Sequence, residues 1–362
     1  MIIGIDASRA NKKEKTGVEW YSYFLIQEFK KIIPQDIQVI LYSPAPLRED
    51  LLPLPPNWQV KILHWPFRFW TLIRFSWEML WHKPDILFVP SHIIPFFPPK
   101  RTFTTIHDIG FRRFPEHYSW LQRKLLNFGA KSAKKHAKTI LTISEFTKNE
   151  LIDVYKISED KIKPIYLGYD NTKYKSLYEQ RLPLLIEKYG IKKPYLFYIG
   201  RLEKKKNIEN MLKAVKEPDI DLVLAGKPGY GYEKIKFAII NRKSAILLGW
   251  VPQEDVPALM AGAEIFLYPS LYEGFGIPIL EAFACGTPVI TSNRASMPEV
   301  AGDAALLVNP DNPQEISEAI QKILRNPEIK DNLINRGKER CRQFSWQRCA
   351  EETLNVLLQK EA

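Results

Sequence analysis

Short runs of β-branched, aliphatic and aromatic residues recur along the chain, and between them apolar positions return every three or four residues. In the first half, the runs at 2–5, 39–42, 60–63, 86–89, 102–106 and 139–143 predict strands. Helical spacing fills 17–33, behind Thr16 as a cap, and 119–137. The second half repeats the alternation, with strands predicted at 195–199, 222–225, 245–248, 265–268 and 288–291. Helices are predicted at 207–216, near 232–241, and at 255–261, 277–284 and 313–325. This pattern predicts an α/β chain of two doubly wound parallel sheets, each wrapped by helices. Between the halves, the regularity lapses over 170–193 into a charged, tyrosine-containing stretch ending in Lys192-Lys193-Pro194. Residues 1–175 and 194–344 are therefore expected as two domains joined by a linker at 176–193. The tail 345–362 reads as an amphipathic helix, with Trp346, Leu354, Val356, Leu357 and Leu358 as its apolar positions. A length of 362 residues suits two domains, each burying its own core. Open sheets of this kind bind ligands beyond the carboxyl ends of their strands, so the crevice between two of them is the expected site.

The segment Tyr272-Glu273-Gly274-Phe275-Gly276-Ile277-Pro278-Ile279-Leu280-Glu281 carries the most chemistry. It sets an acid and a glycine turn ahead of a short helix that bears a second acid. Gly274 and Gly276 flank Phe275 and let main-chain N–H groups approach a ligand closely. Those groups open onto a helix amino terminus, whose partial positive charge favours anions. Counted in helical turns, the spacing places Glu281 deeper along the face that carries Glu273. A carboxylate accepts without donating, so each acid suits a pair of sugar hydroxyls. A phosphate flanked by two sugars, as in a nucleotide-sugar, fits such an arrangement.

Arg201 and Lys206 follow the predicted strand 195–199 and Gly200, where a bound phosphate would lie. A guanidinium fork and an ammonium there can neutralise charge growing on a leaving diphosphate. Lys204 and Lys205 are read as solvated neighbours. Gly17 precedes the first long helix and would let a diphosphate approach that helix's amino terminus. Trp250, in Gly249-Trp250-Val251, is read as packing, with stacking on a nucleobase as the alternative. Asp219-Ile220-Asp221 spells D-x-D but leads directly into a predicted strand, so it is read as an exposed turn and no metal site is expected. Gly226-Lys227-Pro228-Gly229-Tyr230-Gly231 matches neither G-x-G-x-x-G nor a Walker loop and is read as a flexible loop.

The run from Glu273 to Glu281 resembles the E-x7-E motif of glycosyltransferase family 4, retaining enzymes of the GT-B fold. Gly200-Arg201 with Lys206 is similar to that family's phosphate clamp, and Gly249-Trp250-Val251 to its base-binding turn. His107-Asp108 is similar to its acceptor-side histidine, and Thr16-Gly17-Val18 to its donor-side glycine loop. The resemblance spans residues 4 to about 310. It implies two facing Rossmann-like domains, with the last helix crossing back to the first. It also implies a catalytic set of His107, Arg201, Lys206 and Glu273. Gly17, Gly200, Val251, Gly274, Phe275, Gly276 and Glu281 would bind the donor, with Val251 taking the base through its backbone and Glu281 the ribose. His107 would contact the donor sugar near the reacting carbon, through ring or backbone, while Asp108 braces its loop. Transfer would retain anomeric configuration, with no metal and no cofactor beyond the nucleotide-sugar itself. The stretch from Ser296 to Ala305, with Ile106-His107-Asp108-Ile109, most resembles bacterial mannosyltransferases of O-antigen and polysaccharide assembly. That favours GDP-mannose, a uridine diphosphate sugar remaining open, and a glycan or lipid-linked saccharide as acceptor.

Charge adds a question about partners. The formal net charge of +11 implies attraction to something anionic, namely nucleic acid, an acidic membrane surface or phosphorylated ligands. Aromatics and bases concentrate in 64–99, and Lys131, Lys134, Lys135 and Lys138 fall on one face of the helix predicted at 119–137. Both features suit contact with an anionic membrane surface, although tryptophans at 70, 77 and 81 also fit an ordinary core helix. A nucleic-acid partner leaves the acid–glycine–acid segment unexplained and is not expected. A nucleotide-sugar 2-epimerase would share the two domains but lacks a visible extra acid/base set. A dehydrogenase lacks the fingerprint glycines after the first strand. Three cysteines without metal-ligand spacing fit a reducing compartment. With no leader read at the start and no apolar run of about 18 residues, a cytoplasmic protein is expected, resting peripherally on the membrane's inner face.

Overall fold

The structure, a computed structural model, describes residues 1–174, 181–215 and 220–359. Two compact units share the chain. The first comprises Met1–Gly168 with Trp346–Ala362, the second Tyr169–Ser345.

The first unit holds a seven-stranded sheet: β1 (Ile2–Asp6), β2 (Gln38–Ser43), β3 (Trp58–Ile62), β4 (Ile86–Val89), β5 (Thr102–Ile106), β6 (Thr139–Thr142) and β7 (Ile162–Pro164). Their order is β3-β2-β1-β4-β5-β6-β7, and every pairing is parallel. Central strands are buried on both faces and so read as unbroken apolar runs, as in Ile86–Val89. The helix Gly17–Ile32 starts at a capping box, in which Thr16 and Glu19 satisfy each other's backbone. It buries Tyr21, Leu25, Ile26 and Phe29. The helix Trp346–Leu358 packs on it, with Trp346 stacked on Phe24 at 5.0 Å between ring centroids. The tail thus belongs to the first unit, as the family resemblance implied.

The second unit holds a six-stranded sheet: β8 (Tyr195–Ile199), β9 (Asp221–Ala225), β10 (Ala245–Gly249), β11 (Ile265–Tyr268), β12 (Val289–Ser292) and β13 (Ala305–Val308). The order is β10-β9-β8-β11-β12-β13, again wholly parallel. In each sheet the strand order reverses once, between β1 and β4 and between β8 and β11. Loops that leave the carboxyl ends of those strand pairs diverge, and the gap between them is where such sheets accommodate ligands.

Differences from expectation are local. The change of unit falls at Gly168–Tyr169 rather than within 176–193. Of that segment, 176–180 lie outside the described residues, and Leu182–Tyr189 is a helix that buries Leu182 and Leu185 in the second unit. Lys216 of the helix expected at 207–216, Asp219 of the D-x-D triplet and residues 360–362 of the tail also lie outside the described residues. Edge strands β7 and β13 and the helix Pro327–Cys341 went unread. The strands are three and four residues long, and the helix buries only Leu333, Gly337 and Cys341, too sparse a stripe to show as a period.

Candidate active site

In the second unit the loops after β8 and β11, neighbours across the reversal, meet through side chains. Lys206 Nζ lies 2.5 Å from Glu273 Oε1 and donates to the Tyr268 hydroxyl at 3.1 Å. Both members of the pair are 12% exposed. Burial by itself pushes the Glu273 carboxyl up, but the Lys206 ammonium, helped by Lys205, outweighs burial and leaves the carboxyl below its ordinary value. Burial likewise pulls Lys206 down, and Glu273 reverses that, leaving the ammonium firmer than usual. At neutral pH the site therefore holds a fixed cation beside a fixed anion. An ammonium has three hydrogens, so Lys206 retains donor capacity beyond Glu273 and Tyr268.

Backbone bonds lock the same loops. Asn207, in the left-handed region at φ 64°, donates from Nδ2 to the carbonyls of Pro269 and Pro310. The Leu271 N–H donates to the Lys205 carbonyl. Gly200 and Gly226 lie back to back: a Cβ on Gly226 would stand 1.7 Å from the Gly200 carbonyl oxygen. This close approach alone demands glycine. Arg201 is exposed, and among the described residues its guanidinium makes no hydrogen bond or ion pair. Lys205, expected in solvent, is half-buried beside Glu203 at 3.4 Å, because its loop is folded against Leu271.

The two acids do not share a helix face. The helix Ile277–Cys285 begins only after Gly276, which caps it at φ 112°, so Glu273 precedes the helix and Glu281 lies in its second turn. Glu281 is half-buried, and burial pushes its carboxyl up to about 7, the Tyr174 hydroxyl opposing part of the rise. The Phe275 ring turns inward onto Phe344, leaving only the backbone of Gly274–Gly276 for a ligand. Ser296, which the sequence did not single out as a site residue, donates to the carbonyls of Glu273 and Phe275.

Around the turn after β10, Val251 is buried, while Trp250 is 62% exposed. The packing role expected for Trp250 is thus wrong, since its ring faces water. The glycine-rich segment 226–231 is tied rather than loose. Leu202 pairs with Pro228, and the Leu202 and Gly229 amides bond to Lys227 and Leu202 carbonyls. Asp221 of the D-x-D triplet opens β9. A cavity of about 1220 Å³ lies at the amino-terminal edge of this sheet, lined by Leu182, Lys193, Gly262 and Pro288 among others. It contains none of the predicted site residues.

In the first unit His107 follows β5 and is buried, its ring edge-on to Tyr21 at 4.8 Å. Its Nε2 lies 3.1 Å from the Pro90 carbonyl, an acceptor, so Nε2 carries the hydrogen and Nδ1 the lone pair. Burial and the neighbouring His92 push the ring down to about 4, so His107 is neutral at physiological pH. Thr147, in the helix capped by Ser144, donates its hydroxyl to the His107 carbonyl. Asp108 accepts from the Gly110 amide and braces the turn. Gly17 is exposed, and a Cβ there would meet nothing within 4 Å. Packing within the chain therefore does not require glycine at this position.

Comparisons with known proteins give the family and the fold. A model described as Glycosyltransferase Family 4 matches residues 15–173, and one described as Glycosyl transferases group 1 matches residues 181–340. The O-antigen chain mannosyltransferase B of Escherichia coli is 32% identical over 82% of this chain and 78% of that protein. The chain belongs to glycosyltransferase family 4. This glycosyltransferase is also 27% identical to the O-antigen chain mannosyltransferase RfbU of Salmonella typhimurium, over 74% of the chain and 72% of that protein. Among solved structures, Anabaena HepE in complex with UDP-glucose superposes with a TM-score of 0.76 at 19% identity, covering 98% of this chain and 99% of that one. WaaG, a glycosyltransferase of lipopolysaccharide biosynthesis, superposes with a TM-score of 0.73 at 14% identity, over 99% and 100% of the two chains. The fold is GT-B, as the resemblance implied.

Proposed function

We propose that this glycosyltransferase moves mannose from GDP-mannose, with retention and without a metal, onto a glycan or lipid-linked saccharide. The observation that carries the reading is the Lys206–Glu273 pair beside the bare turn Gly274–Gly276, at the strand reversal of the second sheet. Lys206 and Arg201 meet the charge of the leaving diphosphate. Glu273 and the turn's amides hold the hexose and phosphate, Glu281 takes the ribose hydroxyls, and the backbone of Val251 takes the base, with Gly200 keeping its loop low. On the first unit, Gly17 leaves room for phosphate at a helix amino terminus, and His107, neutral with a bare Nδ1, accepts from a sugar hydroxyl. The bond from the anomeric carbon to the diphosphate oxygen breaks, its electrons staying on the diphosphate. The acceptor oxygen bonds to that carbon from the same face, and its proton passes to a diphosphate oxygen.

A lipid-linked acceptor at the inner face of the cell membrane is favoured by the surface of the first unit. Phe67, Trp77, Trp81, Phe96, Phe97 and Trp120 are each about half exposed or more. Trp77 lies 6.3 Å from Trp81 and Phe96 5.8 Å from Phe128, ring to ring, and these exposed pairs support a reading of this surface as one that meets a partner. Lys124 lies over Trp120 at 3.9 Å, and Lys131 and Lys135 stand in solvent on the same helix, a mix suited to an anionic interface. The lysine face is narrower than expected, because Lys134 bonds the Tyr155 carbonyl and Lys138 is partly buried beyond the helix end. Trp70 likewise belongs to the core, donating to the Leu63 carbonyl and stacking on Phe75. No helix among the described residues is long and apolar enough to cross a membrane.

The test is a thermal-shift screen of sugar nucleotides, repeated on Lys206→Ala and Glu281→Ala. GDP-mannose should stabilise the wild type most and each variant less. A larger shift with UDP-glucose would reassign the donor, and no shift with any sugar nucleotide would sink the reading. Incubation with donor alone separates transfer from epimerisation, which would appear as an epimerised sugar nucleotide.

A further inference from the structure

Ser296 is fully buried and stands just before the helix Met297–Ala301. A serine there ordinarily caps the helix through its side chain, but no side-chain cap bond forms. Its hydroxyl oxygen instead sits 2.9 Å from the Glu273 carbonyl and 2.7 Å from the Phe275 carbonyl. A hydroxyl has one hydrogen, so the two carbonyls share it as a three-centre bond. Both carbonyls therefore point at Ser296. In a planar trans peptide the N–H lies opposite the C=O, so the amides of Gly274 and Gly276 point away from Ser296, on the turn's other side. One buried hydroxyl thus aims two amides in one direction. The backbone supports the placement independently. Ala295, immediately before, sits at φ 52°, a left-handed conformation that alanine avoids. Strain of this kind persists only where the surroundings hold it.

We propose that Ser296 is a positioning residue that sets the affinity of this enzyme for the phosphate–sugar half of its donor. It never touches the donor and acts through the Gly274 and Gly276 amides. The inference rests on the donor reading above, and the experiment separates the two. GDP-mannose, UDP-glucose and GMP are titrated calorimetrically into the full-length wild type, Ser296→Ala and Ser296→Cys. If the wild type binds neither sugar nucleotide, the donor reading falls and takes this inference with it. If it binds one, Ser296→Ala should weaken that ligand about ten-fold, while GMP, which lacks the sugar and outer phosphate, changes by about two-fold or less. Ser296→Cys, of similar size but a weak donor, should fall between. Equal losses for GMP and the sugar nucleotide in the folded variants would reveal general softening, and no loss for either would show that the turn aims itself. Both results overturn the inference while leaving the donor reading intact. Should Ser296→Ala fail to fold, the Ser296→Cys ratio decides by the same criteria.

Discussion

The Lys206–Glu273 pair makes a sharp test because stability and catalysis respond to it differently. At 2.5 Å and 12% exposure for each side chain, the gross attraction is about 6 to 7 kcal/mol at an effective dielectric of about 20. Desolvation of two buried ions offsets much of that, so the net value of the pair is small. Breaking it from one side is another matter. Lys206→Met leaves the Glu273 carboxylate buried with its bonded cation gone and only Lys205 nearby to offset its charge, which should cost about 3 to 5 kcal/mol, or roughly 6 to 20 °C in Tm for a unit of this size. Glu273→Gln strands the ammonium with a similar but milder penalty, since Tyr268 still accepts from it. The double variant removes both charges and should recover most of the loss, giving a coupling of about 2 kcal/mol or more in a double-mutant cycle. Transfer activity should not recover, because in the proposed function both charges act on the donor. Urea unfolding of the four proteins supplies the cycle, and release of nucleoside diphosphate from donor and acceptor supplies the activity. Additive losses of stability, or activity regained in the double variant, would refute the reasoning.

Four further outcomes are expected. Glu281, raised to about 7 against 4.5 for a free carboxyl, should bind ribose hydroxyls only when ionised, so nucleotide affinity should fall as pH drops below about 7, and Glu281→Gln should flatten that profile in calorimetric titrations. Because the folded state holds this proton more tightly, the group's contribution to folding is complete below 4.5 and is lost as pH rises through about 7, so Glu281→Gln should gain stability relative to wild type above pH 7. Replacing Trp77 and Trp81 together by serine should reduce sedimentation with vesicles containing anionic lipid several-fold and shift Tm by no more than about 2 °C, since both rings are more than 60% exposed. Trp346→Ala should cost about 3 to 5 kcal/mol in urea unfolding, because it removes the ring that stacks on Phe24 and joins the last helix to the first unit.

Local pattern carried most of the fold. The strands 86–89, 102–106, 195–199 and 265–268 fall where apolar β-rich runs predicted them, because central parallel strands are buried on both faces and need no partner information to show. The helix at Gly17–Ile32 was legible from its cap and its buried stripe. Short edge strands and polar helices were not, since their stability comes from neighbours rather than from their own composition. At the site, the residue types between Glu273 and Glu281 suggested a ligand with phosphate and sugar parts, which is the reading proposed above.

What the chain order alone determined, then, was the inventory: alternating elements, a turn of bare amides, two acids, and cations placed after a strand. What the tertiary structure decided was pairing and protonation. It brought Lys206 to Glu273 across 67 positions, turned the Phe275 ring inward, aimed the turn through Ser296, made His107 neutral and raised Glu281. These properties depend on distance through space and on exclusion of water. Neither is set by sequence separation, so they exist only once the loops of neighbouring strands have been folded against each other.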